Sequence, residues 1–133
     1  MTMKSLNLPC LEITRRTATA LSKGSPVKLD TDADYVVTSS SAGDAAILGV
    51  LAEDTAAGGT GRVIVMGFAQ VKIKTASGLA VGDLIMQSDT AGKAVKVGAS
   101  AGTNYPAIGK VFVAPGSNDD LVTCLICPSV FQA

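Results

Sequence analysis

The residues that could do chemistry are few, and none stands at a spacing that completes a site. Cys124 and Cys127 form C-x-x-C within the run LVTCLICP. A redox pair of that spacing needs a helix N-terminus to stabilise its thiolate, whereas this pair lies in an apolar, β-branched run that stops at Pro128. A zinc site needs two more ligands, and Cys10 cannot complete one in a chain without histidine. The cysteines therefore read as small buried apolar residues. Asp30, Asp32 and Asp34 in DTDADY open like a calcium loop, but Tyr35 stands where the sharp turn needs glycine and Ser41 where a bidentate glutamate is required. A solvated acidic hairpin is the expected structure. Gly58-Gly59-Thr60-Gly61 lacks the Lys-Ser/Thr pair and the following helix of a phosphate cradle. Glu53 and Asp54 are adjacent, so on a strand they point to opposite faces. Ser39, Ser40 and Ser41 have no base near them in sequence. The absence of histidine removes the usual general base, metal ligand and pH switch together. No catalytic, cofactor-binding or metal residues are expected, and the chain reads as non-enzymatic.

Composition narrows the remaining classes. Lys plus Arg and Asp plus Glu are balanced at 11 each, which leaves no basic surplus to displace counterions from nucleic acid. Aromatics are 4% with no tryptophan, so stacking platforms for bases or sugars are scarce. The most apolar stretch, Ala45 to Ala52, is far short of the roughly 20 residues of a membrane helix. Met1 to Ala20 has no sustained apolar core and contains Glu12, Arg15 and Arg16, unlike a signal peptide. Neither nucleic acid nor membrane is an expected partner. Hydrophobic residues nevertheless reach 47% and mean hydropathy is +0.39, so burial of some surface against other chains is expected.

The elements that must carry these residues are strands. Short apolar runs punctuated by DTDAD, SSSAGD, AAGGTG, SDTAGK, GASAGTN and APGSNDD predict strands near Pro26–Leu29, Tyr35–Thr38, Ile47–Ala52, Arg62–Lys74, Leu84–Gln87, Ala94–Val97, Ala107–Ala114 and Leu121–Cys127. The one helical turn expected is Ser77–Val81, with Ser77 as N-cap. In the long Arg62–Lys74 run, Val63, Val65, Gly67, Ala69, Val71 and Ile73 define one continuously buried face. The opposite face is apolar only at Ile64, Met66 and Phe68, which predicts cover there from a loop or a neighbouring subunit. Gly67 reads as a bulge or bend. The fold class is all-β, a small β-barrel or sandwich.

The chain also repeats itself. Lys23-Gly24-Ser25-Pro26-Val27 resembles Val81-Gly82-Asp83-Leu84-Ile85, and Leu48-Gly49-Val50-Leu51 resembles Ile108-Gly109-Lys110-Val111. Pseudo-repeats at about 23–74 and 81–127 would build one pseudo-twofold barrel domain over residues 23–133. Residues 1–22 fall outside as an extended N-terminal arm. The arm carries Leu6 and Leu8 before Pro9, Leu11 and Ile13 after it, and Lys4, Arg15 and Arg16 against Glu12. It reads equally as a docking element or as a first barrel strand.

The segments GSPVKL, AILGVLAEDTAAGGTGRVIVMGFAQV, ASGLAVGDLIMQSDTAGKAV and AIGKVFVA together resemble the capsid cement or decoration proteins of tailed bacteriophages. The resemblance covers most of the chain. It implies a β-barrel homotrimer on the outer surface of the virion capsid, assembled in the host bacterial cytoplasm, that stabilises the mature shell by clamping neighbouring major capsid proteins. On that reading Leu6, Leu8, Leu11, Ile13, Arg15 and Arg16 are candidate capsid contacts, and Ile64, Met66 and Phe68 the candidate intersubunit face. A tail or baseplate β-module and a carbohydrate-binding host-adhesion domain are the alternatives.

Overall fold

Runs of Val, Ile and Leu cut at Gly, Asp and Pro satisfy their backbone groups most cheaply in sheet ladders joined by tight turns. The computed structural model describes residues 10–132 other than Ala33 and Ala99, and among them it holds nine strands and no helix. These are Leu11–Thr17 (β1), Pro26–Leu29 (β2), Tyr35–Val37 (β3), Ile47–Leu51 (β4), Thr60–Lys72 (β5), Leu84–Gln87 (β6), Ala94–Lys96 (β7), Asn104–Val111 (β8) and Leu121–Gln132 (β9). The expected helical turn at Ser77–Val81 is instead a β-turn. Leu79 N–H donates to Ala76 O at 3.1 Å, and Gly78 takes a φ of +79°, which a helix does not use.

The first five strands close on themselves in the order β1-β3-β2-β4-β5, with β5 returning to β1. All neighbours run antiparallel except β1 and β3. The second half, β5-β9-β8-β6-β7, rolls back so that Ala94 of β7 forms a parallel bridge to Ile73 at the end of β5. One pseudo-twofold barrel was the expectation; each half in fact curls into its own five-strand ring, and β5 is the wall common to both. Its first part pairs with β1 and β4, and from Gly67 onward it pairs with β9. Gly67 sits at the changeover with a φ of +114°, so the expected bend is a backbone conformation that a side chain would strain.

Alternation along the strands then divides the core. Val27, Val36, Leu51 and Val63 fill the first ring, with Ile13 and Leu21 packed against them. Val71, Ile73, Ile85, Val111, Val122, Cys124 and Ile126 fill the second. Val50 and Ile64 are register partners on the outward side of the first ring, yet they belong to the second cluster. The back of the first ring therefore packs on the second. This corrects the expectation for Ile64, which is only 5% exposed because the chain itself covers it.

The two rings share one hydrogen-bond plan. Val27 pairs with Gly49, as Ile85 pairs with Gly109. Gly24 N–H donates to Leu51 O at 2.8 Å, and Gly82 N–H donates to Val111 O at 2.8 Å, with both glycines at positive φ of +87° and +90°. A Cβ on Gly49 would strike the Ile64 carbonyl oxygen, and one on Gly109 the Leu125 carbonyl oxygen. The correspondence includes β1. Thr17 N–H donates to Gly59 O at 3.0 Å and Gly58 N–H to Thr17 O at 2.6 Å; Ile73 N–H donates to Asp120 O at 3.0 Å and Asp119 N–H to Ile73 O at 2.7 Å. Asp119, in the place of Gly58, is the positive-φ residue other than glycine among the described residues, at +66°. We propose that the chain is two copies of one five-strand unit, the first opening with β1 and the second with the latter half of β5. On this view Leu11 onward lies inside the repeat, not in an arm beside it.

The glycines at the crossings are then not interchangeable with those in open turns. Gly109→Ala should cost about 3 kcal/mol, because the new methyl group meets a fixed carbonyl and the ladder must shift. Gly58→Ala meets no atom within 4 Å and should lose only about 1 kcal/mol, for the left-handed backbone. Urea unfolding of both variants measures the difference, and equal losses would contradict the close-approach argument.

Candidate functional site

The surface feature that stands out is apolar and lies along β5 where the rings meet. Leu11 and Met66 are register partners across β1 and β5, 57% and 50% exposed. Two residues along, Phe68 opposes Leu125 of β9, and its ring meets Phe112 edge-on with centroids 4.9 Å apart and planes at 81°. Phe112 is itself 51% exposed. Period-2 alternation explains why these residues face out: in β9, Val122, Cys124 and Ile126 turn inward, which leaves Leu121, Leu125 and Cys127 on the outside. A cleft of about 380 Å³ runs beside them, floored by Ile64, Phe68 and Ala52 and rimmed by Glu12, Arg62 and Gln70. Arg62 holds that rim by pairing with Glu12 at 3.3 Å and Glu53 at 3.5 Å.

Of the candidate contacts read from sequence, Leu6 and Leu8 lie outside the described residues. Leu11 is on this surface. Ile13 turns inward against the first core. Arg16 lays its guanidinium over the Tyr35 ring, 5.1 Å from the centroid, and donates to Gly58 O at 3.4 Å. Arg15 donates to Thr14 O at 2.8 Å. Met66 and Phe68 lie at the surface, and Ile64 lies beneath it. Sequence reasoning missed Phe112 and Leu125. Phe112 follows the last residue of β8 and both faces of β9 are apolar, so only the Phe68–Leu125 register and the Phe68–Phe112 contact reveal which side is left uncovered.

The cysteines need a correction as well. Three-residue spacing on a strand puts Cys124 and Cys127 on opposite faces, and only Cys124 is buried. It occupies the core position that Val63 fills in the first ring. Burial pushes its thiol up to about 12, with a small opposing effect from the Phe112 backbone. Among the described residues no three His, Cys, Asp or Glu side chains converge on one point. The acidic residues work locally: Asp32 accepts from Asp34 N–H at 3.1 Å, and Asp120 accepts from Gly116 and Ser117 N–H, both at 2.9 Å. Asp44 is the most enclosed. Ser39 Oγ–H at 2.6 Å, Ala46 N–H at 2.9 Å and Lys28 at 3.0 Å all favour its charged form and hold it near 2.

The described residues thus form a two-ring β-module whose distinguishing surface feature is an uncovered apolar strip. The comparisons give that module its family. The sequence profile of the phage cement proteins matches residues 8–127, and the chain belongs to this family of structural phage capsid proteins. Among solved structures it resembles the N base of the head fibre protein gp8.5 of bacteriophage phi29. The two are 17% identical, with 94% of this chain and all of that one covered at a TM-score of 0.64, a likeness of fold. No curated protein sequence matches.

Two measurements follow. In the native protein a thiol reagent should titrate Cys10 and Cys127 quickly and Cys124 only after denaturation, because Cys124 is both covered and held protonated. Three fast thiols would contradict the packing. Asp44→Asn should lose about 1–2 kcal/mol at neutral pH. A carboxyl with a lowered folded pKa stabilises above its unfolded value, so this deficit should shrink as pH falls from the ordinary 3.8 through about 2. A pH-independent deficit would rule out the charge as its source.

Proposed function

We propose that the chain is a non-enzymatic decoration protein that sits on the outer surface of the mature capsid as a homotrimer and clamps neighbouring major capsid proteins. The observation that carries this reading is an apolar strip in a member of a capsid cement family, with Leu11, Met66, Phe112 and Leu125 exposed and Phe68 half-buried among them. Leu11 and Met66 were read from sequence as belonging to different contacts, yet they are neighbours in one ladder, which favours one partner for both. We assign the strip to the capsid protein, with Arg62 and Glu12 as its polar rim.

The mechanism needs no reaction. A protein that binds only the expanded shell stabilises it by its binding free energy, through mass action. Three strips held in one trimer act together, so weak individual contacts add through effective concentration. Residues 1–9, with Leu6 and Leu8, would extend the same contact from the start of β1. Burying either leucine fully would contribute roughly 1.5–3 kcal/mol.

Purified expanded heads lacking the protein provide the test. Wild-type protein should decorate them, and Met66→Asp with Phe112→Asp should lower occupancy about tenfold or more while leaving circular dichroism unchanged, since both side chains are half exposed. Removing residues 1–9 should weaken binding and leave β1 in place. Undiminished decoration by the double variant would overturn the assignment of the strip.

A further inference from the structure

The contact that joins the two units is one-sided. The β6–β7 hairpin docks on the turn at Ser41–Asp44: Gly43 N–H donates to Gln87 O at 2.8 Å, and Gln87 Nε2–H donates to Ser39 O at 2.7 Å. Gln87 is 1% exposed there. By the spacing of the two units, Leu29 is the counterpart of Gln87, and Ser100–Thr103 is the counterpart of the turn. The turns agree in sequence, Ser-Ala-Gly-Asp against Ser-Ala-Gly-Thr. They agree in geometry too: Asp44 N–H donates to Ser41 O and Thr103 N–H to Ser100 O, each at 3.1 Å, with Gly43 and Gly102 at φ of +67° and +78°. Within the chain, however, the second pair does not meet. Leu29 is 44% exposed, and a Cβ on Gly102 would find no atom within 4 Å. A two-fold pairing of units would have filled both seats. A head-to-tail pairing leaves one hairpin and one turn free.

We propose that these free ends meet between copies, the Leu29 end of one chain docking on the Ser100–Thr103 turn of the next as the Gln87 end docks on Ser41–Asp44 inside the chain. A second copy is the fitting occupant because the empty seat repeats one that this chain already fills. Asp30 N–H donates to Tyr35 O, so strand alternation turns the Leu29 carbonyl away from β3, ready to accept from Gly102 N–H. The substitutions across the contact are matched. Where polar Gln87 meets the Ser39 carbonyl, apolar Leu29 would meet Gly98, which is covered by the Tyr105 ring. A Cβ on Gly92 would lie nearest Ser25 Oγ at 3.2 Å and then Thr38 at 3.9 Å inside the chain; the counterparts are Asp34 facing Asp83 and Lys96, two carboxylates with an ammonium between them. Lys96 already lies 3.3 Å from Asp83, so it would bridge two carboxylates. A head-to-tail contact closes only as a ring, and a ring of three chains would set six units around one axis.

The inference rests on the self-association proposed above, and sedimentation velocity on the full chain separates the two. Wild-type protein should sediment as an oligomer at micromolar concentration. Leu29→Asp should weaken assembly at least about tenfold with circular dichroism unchanged. Lys96→Asp should weaken it as well, and adding Asp34→Lys should restore it. Leu29→Asp that assembles like wild type overturns this contact and leaves self-association standing; wild type that stays monomeric into the millimolar range overturns both. Should Leu29→Asp fail to fold, the charge exchange decides, and a double variant no better than Lys96→Asp alone counts against the contact.

Discussion

Everything in this molecule hangs on β5 belonging to two rings at once. A strand can pair on two sides only, so serving both rings requires it to change partners along its length, from β1 and β4 to β9. Gly67 makes the change possible by taking a backbone angle that re-aims the strand between the two ladders. Once β5 is shared, the rings cannot drift apart. The outward residues Val50 and Ile64 of the first become part of the second core, and burial of that face is enforced by the covalent chain.

The same constraint accounts for the glycines that mark the repeat. Each ring is narrow, and at Gly49 and Gly109 the next strand passes so close that its carbonyl occupies the space of a Cβ. Glycine is needed there for clearance, and at Gly24 and Gly82 for a turn that returns a hydrogen bond to the end of the fourth strand. Four glycines at matched positions are thus two physical requirements met twice. Cys124 belongs to this scheme as the equivalent of Val63.

Strand positions were largely legible in the sequence because turns rich in Gly, Asp and Ser cut the apolar runs, although β8 runs Asn104–Val111 and β9 Leu121–Gln132 where Ala107–Ala114 and Leu121–Cys127 were expected. The β-barrel class and the phage cement family were legible for the same reason, since strand and turn patterns are what the family has in common. Pairing was not legible. Residues 1–22 read as an arm because, on the proposed repeat, the counterpart of β1 lies inside β5, where no turn marks a boundary. Ile64 read as part of an intersubunit face because alternation tells which face a residue takes, not whether its cover comes from the chain itself. The uncovered strip was half seen, at Leu11, Met66 and Phe68; Phe112 and Leu125 join it only through the Phe68–Phe112 contact and the Phe68–Leu125 register. Cys127 was misplaced with Cys124 because odd spacing on a strand separates faces that composition cannot distinguish.

A surface of this kind suits the proposed role of holding neighbours together: apolar residues on and beside the sheet, a polar rim fixed by Arg62, and a turn and a hairpin end left open. The most direct measurement is an electron cryomicroscopy reconstruction of expanded heads decorated with this protein. The account predicts three copies around each bound site, Leu29 of one against Tyr105 of the next, with Met66 and Phe112 turned down onto the capsid protein. Density with that strip facing solvent, or single copies without mutual contact, would contradict it.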